Sequence, residues 1–270
     1  MTSRGRRLSL ASGVMPDVTP TGTVAAAAAA GWDAVGLWVD MKLWTPQTTR
    51  EVRDRLKDSG LSALDAEVIW LRPGLDDPDH FRLIDIAVEV GAENVLVVSS
   101  ATEAGETADK LGRLSDHADG NLRVSLEFGA FTSVRSLPDA LDVLERCGRA
   151  EAGLLVDPLH FARTGGRPID LTRVDPGRFA YAQFCDAAAV GPSPDDVAAI
   201  IEEALDLRLM PGEGALPLSE VLAAMPPATP LSVELRSRAL RERFPDPAAR
   251  SRALLTATRA WMEGAFKTPS

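Results

Sequence analysis

A strand-then-helix alternation runs along this chain and constrains its fold more than any other feature. Short apolar runs recur at intervals of roughly 25–40 residues, and most are followed by a segment with the periodicity of an amphipathic helix. The predicted strands are Leu8–Ser12, Ala34–Val39, Leu61–Leu71, Asn94–Ser99, Leu122–Phe128, Ala152–Asp157, Phe179–Phe184 and Leu231–Leu235. Eight strands alternating with helices predict an α/β fold, a single (β/α)₈ barrel.

Composition supports one large domain. The chain has 270 residues, of which 45% are hydrophobic, and this is enough to build one barrel core. No low-complexity linker or shift in composition divides it, so we expect a single domain over residues 1–270. The connection that contains Pro192–Gly214 is long enough to form a lid or a contact between subunits of a homo-oligomer.

Charge and hydropathy exclude several classes of partner. The net charge of −10 argues against binding to a nucleic-acid backbone. The longest run of small apolar residues, Val24–Ala30, is far shorter than the roughly 20 residues that span a bilayer, so we expect no membrane partner. Cys147 and Cys185 are the only cysteines and imply no disulfide framework, which predicts a location in the reducing cytoplasm.

Polar residues stand at the ends of four consecutive predicted strands: Glu127, Asp157, Gln183 and Glu234. In such a barrel the carboxyl ends of the strands surround the active site. Three carboxylates that converge there raise one another's pKa values, and a divalent cation removes that cost. The sequence therefore predicts one metal ion held by these four oxygen ligands. The alternative is that each side chain only forms a salt bridge with a nearby arginine or lysine.

The ligand set favours Mn²⁺ or Mg²⁺, since hard oxygen donors suit these ions better than Zn²⁺. Manganese is the first expectation, and Co²⁺ and Zn²⁺ are the alternatives. With only three histidines in the chain, a centre built from several of them is excluded.

Further candidates lie beside these ligands. His160 follows Asp157 in the segment LLVDPLHFARTGG and titrates near neutrality, so it is a candidate proton carrier and substrate contact. Arg163 and Arg236 are candidates for binding a substrate carboxylate or phosphate, or for bracing Asp157 or Glu234 instead. Glu67 and Trp70, late in the third strand, are expected to line the pocket.

Several motifs resemble the xylose isomerase-like TIM barrel superfamily, in its branch of sugar phosphate isomerases and epimerases. They are SLEF (125–128), VDPLHFARTGG (156–166), AQFCDA (182–187), MPGEG (210–214) and SVELR (232–236). The resemblance implies that Glu127, Asp157, Gln183 and Glu234 hold the metal and that His160 touches the substrate. Most epimerases of this family carry histidine where this chain has Gln183. The segment around Gln183 is similar to the bacterial 3-dehydroshikimate dehydratases of the same superfamily.

The predicted function is a divalent-metal-dependent isomerase or epimerase acting on a sugar or a sugar-like hydroxyketone. Glu127 and Glu234 would move the proton from opposite faces through a metal-stabilised enediolate, with His160 as a further proton carrier. The alternative is a metal-dependent lyase of the 3-dehydroshikimate dehydratase type. A further alternative is a non-catalytic barrel that binds a polyol.

Overall fold

Eight parallel strands close into a barrel in the computed structural model, which describes residues 6–265. Strand β1 pairs with β2 on one side and with β8 on the other, and this pairing closes the sheet. The predicted (β/α)₈ barrel is confirmed. The strands are β1 (Leu8–Leu10), β2 (Ala34–Trp38), β3 (Ser62–Leu71), β4 (Ala92–Ser99), β5 (Arg123–Glu127), β6 (Gly153–Val156), β7 (Phe179–Phe184) and β8 (Leu231–Val233).

At least one helix follows each strand. The helices are α1 (Pro20–Ala30), α2 (Pro46–Ser59), α3 (Pro78–Val90), α4 (Ala104–Ala118), α5 (Leu137–Cys147), α6 (Pro158–Arg163), α7 (Pro168–Leu171), α8 (Val197–Asp206), α9 (Leu218–Ala224), α10 (Arg238–Arg243) and α11 (Pro247–Ala265). Local sequence defines their ends. In α1, Thr19 caps the first turn through its side chain and Gly31 ends the helix at a φ of 85°.

Several predicted strands extend past the observed ones at their carboxyl ends. Strand β1 stops at Leu10 because Ser12–Val14 form a 3-10 turn. Strand β6 stops one residue before Asp157, whose carboxylate accepts a hydrogen bond from the Leu159 N–H at 2.7 Å and caps α6. Polar residues at these ends are therefore not paired within the sheet, and their side chains can face the barrel mouth.

A small apolar cluster fills the inside of the barrel. It joins Ala34, Leu64, Leu96, Leu155 and Tyr181, which come from five different strands on both sides of the barrel. The larger core lies between the strands and the surrounding helices. Within residues 6–265, none of the helices is both long and apolar enough to cross a bilayer.

Candidate metal centre at the barrel mouth

The structure brings together the four strand-end residues that were predicted to hold a metal. One terminal atom of the Gln183 amide lies 2.7 Å from Glu127 Oε1, 2.9 Å from Asp157 Oδ2 and 3.0 Å from Glu234 Oε2. All four side chains are buried. Carboxylates from three different strands thus surround a single amide group.

The Gln183 amide tests whether these residues fit a cation. If the central atom is its nitrogen, its two N–H groups are shared among three carboxylate acceptors. If it is the oxygen, four oxygens converge, and this arrangement is favourable when a cation lies among them. The donor set therefore fits a hard divalent ion.

Charge around the mouth points to the same kind of ion. Glu67, Glu127, Asp157 and Glu234 can each carry one negative charge there. Two guanidinium groups, those of Arg208 and Arg236, contact carboxylates of this group. When all of these side chains are ionised, two negative charges remain in excess. A divalent cation would balance them.

Arg208 is a charged group at this centre that sequence reasoning did not single out. Its Nη1 lies 2.6 Å from Asp157 Oδ2, and its Nη2 lies 2.9 Å from Glu234 Oε2. The side chain is only 3% exposed. Because this buried arginine contacts two of the four candidate ligands, its positive charge acts directly on the centre.

Backbone pairing fixes the segment that carries Arg208. Leu207 forms an antiparallel bridge with Ser237, and Leu209 forms one with Asp186. The Arg208 N–H donates to the Arg236 carbonyl at 3.2 Å. This segment therefore runs beside the continuations of β7 and β8, and it aims the arginine into the mouth.

Asp186 holds the following loop in place. Its carboxylate accepts hydrogen bonds from the N–H groups of Gly212, Gly214 and Leu216 at 2.9–3.1 Å. A Cβ on Gly214 would collide with the backbone of Ala187, so this close approach requires glycine. The PGEG motif therefore shapes the loop that follows Arg208.

The acids of the centre have unequal proton affinities. Burial, together with the charges of Asp157 and Glu234, raises the pKa of Glu127 well above its usual value. Burial opposes ionisation of Asp157 as well, but the Arg208 guanidinium, His160 and the Leu159 N–H together lower the pKa of Asp157. Among the described residues, no guanidinium lies within salt-bridge distance of Glu127, which accounts for the contrast.

Arg236 and Glu67 form the side of the mouth next to β1 and β2. Arg236 Nε donates to Glu234 Oε1 at 2.9 Å, and its Nη2 lies 3.6 Å from Glu67 Oε2. Ser12 donates to Glu67 at 2.6 Å. The Arg236 guanidinium also stacks over Trp38 at 5.6 Å. Arg236 thus braces Glu234, one of the two roles that the sequence left open, and it still lines the cavity.

His160 lies beside the ligands. Its Nε2 is 3.9 Å from Asp157 Oδ2, and its ring packs edge-on against Phe131 at 5.0 Å. Burial lowers the pKa of His160, although the charge of Asp157 opposes this shift. Glu127, Asp157 and His160 each place one donor atom within 4.8 Å of the others, so the histidine is a further candidate ligand.

The remaining predicted residues separate into two groups. Trp70 lines the mouth and donates its indole N–H to Ser100 at 2.7 Å. Arg163 does not join the mouth, because its guanidinium forms two bonds with Glu203, at 2.7 and 2.9 Å. It lines a separate cavity with Arg135 and Pro192.

The cavity above the carboxylates has a volume of about 130 Å³. It combines a charged floor with apolar and aromatic walls, a combination typical of a site for a small polar molecule. Its lining residues are Trp38, Glu67, Val68, Trp70, Leu96, Val98, Glu127, Phe131, His160, Gln183, Ala204, Leu205, Arg208, Glu234 and Arg236.

Comparison with known proteins places this geometry in a family. The model of the xylose isomerase-like TIM barrel family matches residues 24–261. A 3-dehydroshikimate dehydratase of Pseudomonas aeruginosa is 27% identical over 246 residues, which cover 83% of this chain and 36% of the relative. The corresponding protein of Pseudomonas putida is 25% identical with the same coverage. The chain therefore spans about a third of the length of these curated relatives.

Solved structures share the fold at lower identity. A fusion of a xylose isomerase-like TIM barrel with a 4-hydroxyphenylpyruvate dioxygenase superposes with a TM-score of 0.80 at 20% identity, covering 98% of this chain and 45% of the fusion. The IolI protein with a bound zinc atom gives a TM-score of 0.80 at 16% identity, covering 97% of this chain and all of that protein. At these identities the likeness is one of fold.

Proposed function

Because this chain belongs to the xylose isomerase-like TIM barrel family, we propose that it is a divalent-metal-dependent isomerase or epimerase of a sugar or sugar-like hydroxyketone. The observation that carries the proposal is the convergence of three buried carboxylates on Gln183, all within 3.0 Å of one amide atom. Enzymes of this kind remove a proton from the carbon beside a carbonyl group, and this requires a positioned base and a means of stabilising negative charge.

Glu127, Asp157, Gln183 and Glu234 would hold the metal, with Mn²⁺ or Mg²⁺ the expected ion from the oxygen donor set. When bound, such an ion polarises a carbonyl oxygen and lowers the pKa of the adjacent C–H group. The aromatic and apolar walls of the cavity would surround this chemistry with side chains of low polarity.

Glu127 and Glu234 differ in ways that suit an acid and a base. Arg208 and Arg236 both contact the Glu234 carboxylate, whereas no guanidinium within residues 6–265 lies at salt-bridge distance from Glu127. Glu127 has a raised pKa, so it holds its proton more tightly than an ordinary glutamate side chain does. Glu234 would remove a proton from one face of the substrate, and Glu127 would deliver one from the other.

His160 and Arg236 would bind the substrate. Burial keeps the His160 imidazole neutral, so that one ring nitrogen can donate to a substrate oxygen while the other accepts. Arg236 Nη1 has no hydrogen-bond partner among residues 6–265 and lines the cavity, where it can donate to a substrate oxygen. Glu67 and Trp70 would shape the rest of the pocket.

A panel of ketoses tests this proposal. Metal-stripped protein is incubated with Mn²⁺ or with EDTA and with each ketopentose or ketohexose, and new epimers are resolved by ¹H NMR. The proposal expects a new epimer or aldose with Mn²⁺ and none with EDTA. Ligand binding without any turnover across the panel would favour the polyol-binding barrel instead.

A dehydratase is the second candidate, favoured by the 27% identity to a 3-dehydroshikimate dehydratase over most of this chain. In that reaction one base removes the proton, and a protonated group near the leaving hydroxyl completes the elimination. Incubation of the Mn²⁺-loaded protein with 3-dehydroshikimate tests it through the ultraviolet absorbance of the aromatic product. No absorbance change at high protein concentration would remove this candidate for that substrate.

A further inference from the structure

The metal ligands share their oxygens with Arg208. The Asp157 Oδ2 atom that lies 2.9 Å from the Gln183 amide is also 2.6 Å from Arg208 Nη1. The Glu234 Oε2 atom that lies 3.0 Å from the same amide is 2.9 Å from Arg208 Nη2. Two of the four candidate ligands therefore already carry a positive partner supplied by the chain itself.

From this sharing of oxygens we infer that Arg208 acts as a built-in cation of the metal centre. It neutralises Asp157 and Glu234 when no metal is bound, and it weakens metal binding through the repulsion of like charges. The inference rests on the proposed function for the identity of the metal ligands. Arg208 is a positioning residue in this account, since it acts through the two carboxylates.

Arg208 is held in place independently of the carboxylates. Its Nε donates to the Ala204 carbonyl at 2.8 Å, and bridges through Leu207 and Leu209 fix its backbone on both sides. The Arg208 side chain is therefore held at Nε as well as at Nη1 and Nη2. An anchored cation stays beside the ligands whether or not a metal ion joins them.

Removal of Arg208 leaves three buried carboxylates around Gln183 without this contact. Breaking a buried ion pair destabilises a protein because the remaining charge is uncompensated. A metal ion that binds only the folded centre would then restore the missing positive charge. It would also bind more tightly than in the wild type, because the repulsion from Arg208 is gone.

Thermal unfolding of Arg208→Met with and without metal tests this inference. Methionine keeps much of the side-chain length and removes the charge. Wild type and variant are stripped with EDTA, dialysed, and melted with and without Mn²⁺. We expect the metal-free variant to melt well below the metal-free wild type. We expect its Mn²⁺-induced rise in Tm to be about twice that of the wild type, because a ligand specific for the folded state stabilises more when it binds more tightly.

Arg250→Met is the matched control. Arg250 is equally buried, and its guanidinium binds the Asp17 carboxylate at 2.6 and 2.9 Å, away from the four candidate ligands. This variant should also lose stability, but its Mn²⁺-induced rise should equal that of the wild type. A general weakening of the barrel would instead change the metal response of both variants alike.

Arg208→Lys keeps the test decisive if Arg208→Met does not fold without metal. The lysine variant retains a positive charge, so its Mn²⁺-induced rise should stay close to that of the wild type. Refolding of Arg208→Met from urea should then succeed with Mn²⁺ and fail without it. The inference is overturned if the Mn²⁺-induced rise in the Tm of Arg208→Met is equal to or smaller than that of the wild type, or if refolding does not depend on Mn²⁺. Absence of any Mn²⁺ response in the wild type would instead overturn the proposed metal site itself.

Discussion

Glu234→Gln removes one charge from the centre while preserving the shape of the side chain. Glu234 contacts two mostly buried guanidiniums, Arg208 at 2.9 Å and Arg236 at 2.9 Å. Loss of one partner of a buried ion pair costs about 3–5 kcal/mol. Here Arg208 retains Asp157, and Arg236 retains Glu67 at 3.6 Å, so we expect a loss of about 3 kcal/mol or less. For a chain of this size that corresponds to a fall in Tm of about 5 °C or less.

The same substitution should impair metal binding and turnover. A neutral amide is a weaker ligand than a carboxylate for a hard cation, and loss of a general base costs about 10²–10⁴ in rate. The assay is elemental analysis of bound Mn²⁺ after dialysis, together with Tm and the rate on an active ketose. Glu213→Gln is the control, since Glu213 is exposed in the neighbouring loop and should leave all three quantities unchanged. Unchanged metal stoichiometry in Glu234→Gln would refute the assignment of the site.

Two further predictions concern stability. Burial lowers the pKa of His160, so below the unfolded pKa of about 6.5 the unfolded chain binds more protons and stability falls as the pH drops. In melts from pH 7 to pH 5, His160→Gln should show a shallower fall in Tm than the wild type, and parallel curves would contradict the assignment of the shift to His160. Gly166→Ala should cost about 1–3 kcal/mol in urea unfolding, because the new Cβ would collide with the Phe161 ring. Gly105→Ala is its control, since nothing lies within 4 Å of the new Cβ, and equal losses in the two variants would show that the collision is relieved.

Sequence patterns predicted the barrel because strand and helix periodicities are local properties. The observed strand β7 has the predicted bounds, Phe179–Phe184. The location of Asp157 at the barrel mouth could also be predicted, because this residue stands at the end of an apolar run and before a proline. A carboxylate at such a position both caps a helix and faces the barrel mouth.

Contacts between side chains that lie far apart in sequence could not be predicted from the sequence. Arg163 lies six residues after the predicted ligand Asp157, but it pairs with Glu203, forty residues away on α8. Arg208 carried only a weak signal, a single charge between Leu207 and Leu209 ahead of the PGEG loop. Its role emerges from the bridges that place this segment beside β7 and β8.

The buried pair under the centre illustrates the same limit. Tyr181 donates to the Asp65 carboxylate at 3.1 Å, and burial followed by the charge of Glu67 raises the pKa of Asp65 well above its usual value. These residues lie on β3 and β7, which are not neighbours in the barrel. Contacts across the interior depend on the closure of the sheet, and strand patterns alone do not specify them.

Exchange of carbon-bound hydrogen with solvent shows directly whether the centre at the barrel mouth removes a proton from the carbon beside a carbonyl group. The Mn²⁺-loaded protein is incubated in D₂O with each ketose of the panel and with 3-dehydroshikimate, and the proton beside the carbonyl group is followed by NMR. We expect this signal to disappear for at least one substrate, EDTA to prevent the loss, and Glu234→Gln to slow it by about 10²–10⁴. Retention of the proton in every substrate with the metal-loaded wild type, or an equal rate in Glu234→Gln, would contradict this expectation.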